Sequence, residues 1–196
     1  MDALDSHPLL VKAIPAAEAL VRAENFSMEN LCHALDCGLR ELGEAVGTVD
    51  DVIAHVNDRF MAAYLARATV LAAAGLDDLT TVTGLGQLWL DHAVAHPQAM
   101  NLLMLHRWSA GFKRPDWYLA RVEACFAPME ARLAQLAPQA TPAAVAGAAR
   151  GLYAHICGLY FLTSNERAKP AGIESIRSLL QLTASLLARG LAVPAF

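Results

Sequence analysis

The chain has 196 residues, of which 56% are hydrophobic, with a formal net charge of −4 and a mean hydropathy of +0.34. That length suits one compact unit or a small module joined to a larger one. The charge gives no general pull toward nucleic acid or anionic membrane, and the apolar content, above the roughly 45–50% of an average soluble domain, calls for a dimer interface, a lined cavity or both.

A membrane span is not expected. The most apolar late stretch, Gly151 to Thr163, contains His155 and is bounded by Arg150 and Glu166/Arg167. It falls short of the roughly 20 apolar residues a span needs. The start Met1-Asp2-Ala3-Leu4-Asp5 has neither the basic opening nor the apolar core of a signal peptide, so a cytoplasmic protein is expected. Cys32, Cys37, Cys125 and Cys157 form no CxxC pair and read as reduced, packed thiols.

In chain order, helical spacing recurs and strand signals are almost absent. A first helix is expected over about Leu9 to Ala23, kinked or opened by Pro15. Ser27 reads as the N-cap of Met28 to Leu35, Cys37-Gly38 as a tight turn, and Leu39 to Val46 as a short helix weakened by Gly43. Thr48-Val49-Asp50-Asp51 resembles a capping box opening a long helix that ends near Gly75. Further helices are expected over Val82 to His96, Pro97 to Arg107, from Pro115 through a bend at Pro128, from Thr141-Pro142 to Asn165, and over Ile173 to Arg189. Lys169–Gly172 reads as a turn and Gly190 as a stop. The whole is all-α, with a first module over 1–47 and a bundle over 48–196.

Gly147, Gly151, Ala154 and Gly158 recur at steps of four and three, a face that admits close helix approach. Ile176, Leu180, Thr183 and Leu187 recur similarly on the last helix. The two together predict a two-fold four-helix interface in a homodimer. Trp89, Met100, Met104, Trp108, Trp117, Tyr118, Phe126 and His155 gather in the bundle and predict a pocket for a small apolar or amphipathic ligand; a plain core would look the same. His92 and His96 share a helix face, but no third ligand joins them, so no metal is assigned. GxSxG, P-loop, GxGxxG and HExxH motifs are missing. No catalytic residue and no cofactor is assigned, and the chain is read as a non-enzyme.

Three short helices with a tight turn between the second and third follow a helix-turn-helix plan. The segment Ser27 to Phe60, with Ser27-Met28, Leu31, Ala34, Leu35, Leu42, Gly47, Thr48, Asp51 and Ile53, resembles the DNA-binding segment of TetR-family transcriptional regulators. His96-Pro97, Pro115-Asp116-Trp117-Tyr118 and His155-x-x-Gly158-Leu159 resemble that family's ligand domain. The resemblance implies an N-terminal helix-turn-helix module on a ligand-binding, dimerising bundle. DNA contacts would fall to Ser27, Gly38, Arg40, Glu41, Glu44 and Thr48.

The contact chemistry departs from the family's. Gly43 stands for a tyrosine, Ala45-Val46 for an aromatic or His followed by Phe, Gly38 for a capping hydroxyl and Val49 for a lysine. Ser27 to Phe60 holds seven acids (Glu29, Asp36, Glu41, Glu44, Asp50, Asp51, Asp58) against two bases (Arg40, Arg59), a balance of −5 where a DNA reader is ordinarily basic. The expected function is a dimeric, small-molecule-responsive regulator with altered or lost DNA recognition. The alternative is a carrier or accessory protein that holds an apolar ligand without binding DNA, and a third is an enzyme using His92, His96 or His155.

Overall fold

The computed structural model describes residues 8–164 and 173–191. The expected turn at 169–172 lies outside the described residues. Within them the chain is helical throughout: α1 (Pro8–Arg22), α2 (Met28–Leu35), α3 (Leu39–Val46), α4 (Val49–Ala72), α5 (Asp78–Ala95), α6 (Pro97–Leu105), α7 (Asp116–Leu136), α8 (Pro142–Ser164) and α9 (Ile173–Leu191). None of these helices is long and apolar enough to cross a membrane.

Local chemistry accounts for most boundaries. Ser27 Oγ accepts from the Asn30 N–H at 3.1 Å, capping α2. Thr48 and Asp51 cap α4 reciprocally: the Thr48 N–H donates to Asp51 Oδ2 at 2.7 Å, and the Asp51 N–H to Thr48 Oγ1 at 3.3 Å. Gly47 precedes this box at φ +79°, and a Cβ there would lie 2.5 Å from Asp51 Oδ2, so the site suits glycine twice over. α5 begins a turn earlier than the periodicity predicts, because Asp77 Oδ1 accepts from the Thr80 N–H at 2.9 Å. α9 continues through Gly190 rather than stopping before it.

The packing divides the chain into two compact units, one of Met1–Ala62 with His96–Arg121, the other of Ala63–Ala95 with Val122–Phe196. This differs from a single cut after residue 47. α6 packs against α1, and Leu102 joins the core of the first module, so a later segment returns to it.

In the first unit, Leu10, Ile14, Ala17 and Val21 of α1 enclose Leu31 of α2, Leu42, Ala45 and Val46 of α3, and Val52 and Val56 of α4. In the second, α5, α8 and α9 pack on one another in all three pairings. Gly86 makes that approach possible. A Cβ on it would lie 3.1–3.3 Å from Leu180 and Ile156, both fully buried.

Candidate functional site

Of the residues placed in contact with DNA by resemblance, Ser27 opens α2 and the others lie on or beside α3, all in the first unit. Gly38 is the N-cap of α3 and offers no side-chain hydrogen bond. Leu42, Ala45 and Val46 face the core, so Ala45 and Val46 serve packing rather than contact. The outer face presents Leu39, Arg40, Glu41 and Glu44, with Thr48 exposed just beyond. Arg40, whose side chain is 92% exposed, pairs with Glu44 at 3.6 Å. Arg59, the other base of this segment, lies 2.8 Å from Glu18. Both cations therefore already face carboxylates. Ser27 spends its hydroxyl on the α2 cap.

The eight pocket candidates separate between the units. Met100, Met104, Trp108, Trp117 and Tyr118 belong to the first, and Trp89, Phe126 and His155 to the second. In the first unit, Trp117 stacks on His55 with ring centroids 4.6 Å apart, and Trp108 stacks on Phe112 at 5.2 Å while meeting Tyr118 edge-on at 5.7 Å. Tyr118 and Met100 are buried, Met104 and Trp108 half-buried, and Trp117 exposed.

A buried carboxylate ends this aromatic run. His106 Nε2 lies 2.6 Å from Asp50 Oδ1, the Ser109 N–H donates to Asp50 Oδ2 at 3.0 Å, and the His106 ring meets Trp108 edge-on. The Asp50 side chain is 3% exposed. Burial pushes its carboxyl upward, but the hydrogen bonds from Ser109 and His106, with the charge of His106, outweigh burial and hold it below the usual carboxylate range. Two turns farther along α4, the fully buried Asn57 has neither side-chain atom hydrogen-bonded among the described residues.

In the second unit the rings form another run. Tyr64 meets Trp89 at 4.6 Å, Trp89 meets Tyr153 at 5.3 Å and Tyr153 meets Phe126 at 5.3 Å. Arg150 lies 4.9 Å above the Phe126 ring and is held by Glu123 at 2.6 Å and Glu130 at 2.9 Å. His155 Nε2 lies 3.1 Å from Thr183 Oγ1. His92 is buried beside Tyr64, whereas His96 is exposed and sits by Phe60.

Asp50, His55, Asn57 and Tyr153 were not among the sequence candidates, and His106 was noted only as a neighbour of the aromatic cluster. Asp50 and His106 are 56 positions apart, so no local pattern joins them. Tyr153 lies one position from the small-residue face of α8 and is overshadowed by it. Asn57 had a readable signal, being a carboxamide inside the apolar run Val52, Ile53, Val56, Phe60.

The interface candidates divide as well. Gly147, Gly151, Ala154 and Gly158 are all exposed, and a Cβ at any of the three glycines would meet nothing within 4 Å in this chain. On α9 the expected phase needs correction. Ile176 and Leu180 are buried against the chain's own core, and Thr183 and Leu187 are half-buried. The outward residues are Leu179, Leu182 and Leu186, which are 45%, 55% and 57% exposed. Close packing at Gly86 turns the Leu180 side of α9 inward.

No family model and no curated protein matches the chain. Solved structures do. A Rhodococcus protein of unknown function superposes with a TM-score of 0.72 at 14% identity, covering 98% of this chain and 100% of that one. A TetR-family transcriptional regulator from Bordetella parapertussis gives a TM-score of 0.62 at 18% identity, covering 97% of this chain and 100% of that one. A TetR transcriptional regulator from Streptomyces coelicolor gives 0.60 at 14% identity, over 92% and 96%. These identities speak to fold, and with a helix-turn-helix core at the front, the chain has the fold of TetR-family transcriptional regulators.

Proposed function

We propose that the protein is a dimeric small-molecule sensor of the TetR type whose DNA recognition is altered or lost. The observation that carries this reading is the outer face of α3. A helix-turn-helix core is complete, yet both bases between Ser27 and Phe60 are paired with carboxylates, and seven acids against those two bases leave the segment at −5. Phosphate neutralisation supplies most non-specific DNA affinity, so such a face approaches a duplex at a deficit. Glu41 and Glu44 could accept from cytosine amino groups, which is the route by which recognition would be altered rather than lost.

The sensing half rests on the aromatic runs and on Asn57. A buried carboxamide without partners costs about 1–3 kcal/mol per unsatisfied group. A bound molecule with an apolar body and both a donor and an acceptor would recover that cost. Dimerisation is supported by the exposed small and leucine residues of α8 and α9, whose apolar surface another copy would cover. The acidic α3 face gives equal support to a carrier that holds such a ligand without binding DNA.

Native mass spectrometry of the purified protein tests the shared part of both readings. A two-subunit mass with a retained apolar molecule is expected. A monomer that carries nothing, and whose tryptophan fluorescence does not respond to hydrophobic compounds, would overturn them.

A further inference from the structure

α2 ends in a left-handed residue, Asp36 (φ 52°, ψ 50°). The Cys37 N–H donates to the Cys32 carbonyl at 3.1 Å, and the Asp36 N–H to the His33 carbonyl at 3.4 Å. This pair of crossed hydrogen bonds is the Schellman ending, which folds the chain so that the residue after the left-handed one lies against the third residue before the helix cap. Ordinarily that contact joins two apolar side chains. Here the two residues so joined are cysteines, Cys32 and Cys37. Both are half-buried and rest against the core of the helix-turn-helix module.

We propose that Cys32 and Cys37 form a reversible intramolecular disulfide, making the turn between α2 and α3 a redox-responsive element. The inference is independent of whether the module binds DNA. The oxidant it requires is a small-molecule disulfide. One cysteine thiolate attacks that disulfide, forming a mixed disulfide and releasing one thiol. The second cysteine thiolate then attacks the protein sulfur of the mixed disulfide and releases the other thiol. The protein loses two protons and two electrons, and the oxidant becomes two thiols.

The surroundings set the rate of exchange. Burial, the neighbouring Cys32 and the acids Glu41 and Asp36 push the Cys37 thiol up from its ordinary value. A thiol held above its ordinary value carries less thiolate near neutral pH and is a poorer leaving group, so the shift slows both closure through Cys37 and reopening. Formation would tie the end of α2 covalently to the residue before the α3 N-cap, across the short loop that orients α3.

The test uses the full chain in a buffer of reduced and oxidised glutathione, followed by alkylation and trypsin digestion. Cleavage at Arg22 and Arg40 puts both cysteines, and neither of the other two, in the single peptide Ala23–Arg40. The wild type should lose both alkylatable thiols in that peptide, with a mass lower by two hydrogens, and dithiothreitol should restore them. Cys32→Ser and Cys37→Ser should instead each carry a glutathione adduct on the remaining thiol. Cys125→Ser should close as the wild type does, which controls for effects of cysteine replacement on folding. Cysteines that stay alkylatable in the wild type, stay singly glutathionylated, or pair with Cys125, Cys157 or a second chain would overturn the proposal.

Discussion

The outer faces of α3 and of α8–α9 are opposites, although each covers a complete core. α3 turns outward a short charged strip whose one base is satisfied by its neighbour, Arg40 with Glu44. α8 and α9 turn outward Gly147, Gly151, Ala154 and Gly158 beside Leu179, Leu182 and Leu186. Water serves the first face well and the second poorly. A fold can thus be kept by its interior while its surfaces are re-tuned separately. Leu31, Leu42 and Ala45 are buried in the core of the helix-turn-helix, while Arg40, Glu41 and Glu44 lie on its outside.

The sharpest way to break the comparison is to damage the interior. Leu180→Ala should cost about 2–5 kcal/mol, because the side chain is fully buried against Gly86. Urea melting should show this as a lower midpoint. If Leu180 faced a partner instead, the loss would depend on protein concentration and leave the subunit intact.

Asp50→Asn should cost less, on the order of 1–3 kcal/mol, by weakening a buried charge-assisted pair. Its pH dependence has a definite sign. The folded carboxyl is held below its unfolded value, so its contribution is full above the ordinary carboxylate range and fades as pH falls through the depressed folded value. The variant should therefore lose most stability relative to wild type near neutral pH, and the gap should narrow in acid. Thermal melts across that range would show it.

Gly151→Leu separates inside from outside. A Cβ there meets nothing in its own chain, so the subunit should melt within about 1 kcal/mol of wild type, or slightly higher through helix propensity. Self-association should fall, read by sedimentation velocity. An unchanged dimer would remove the α8 face from the interface. The smallest effect is expected for Arg40→Ala, about 0.5 kcal/mol or less, since the ion pair it breaks is exposed.

Much of the fold was legible because local rules carry it. The α2 cap at Ser27, the Thr48–Asp51 box and the bounds of α2 and α3 all follow from neighbours within a turn. The site was less legible because long-range packing decides it. Periodicity places Leu179, Leu180 and Leu182 on overlapping arcs of α9, and Gly86 on another helix selects which of them turns inward. The same applies to Asp50, an ordinary first-turn acid until His106 and Ser109 are brought to it. Eight aromatic, methionine and histidine candidates read as one cluster in sequence, and the packing distributes them between two units.

Fluorescence anisotropy with labelled DNA tests the central claim most directly. Purified protein would be titrated at low salt into a random duplex and into the duplex upstream of its own gene. The acidic face and the paired state of Arg40 and Arg59 predict weak or undetectable binding to the random duplex and no tight, salt-sensitive binding to either. Tight binding to either duplex that weakens steeply as salt rises would contradict the account and restore an ordinary DNA-binding repressor.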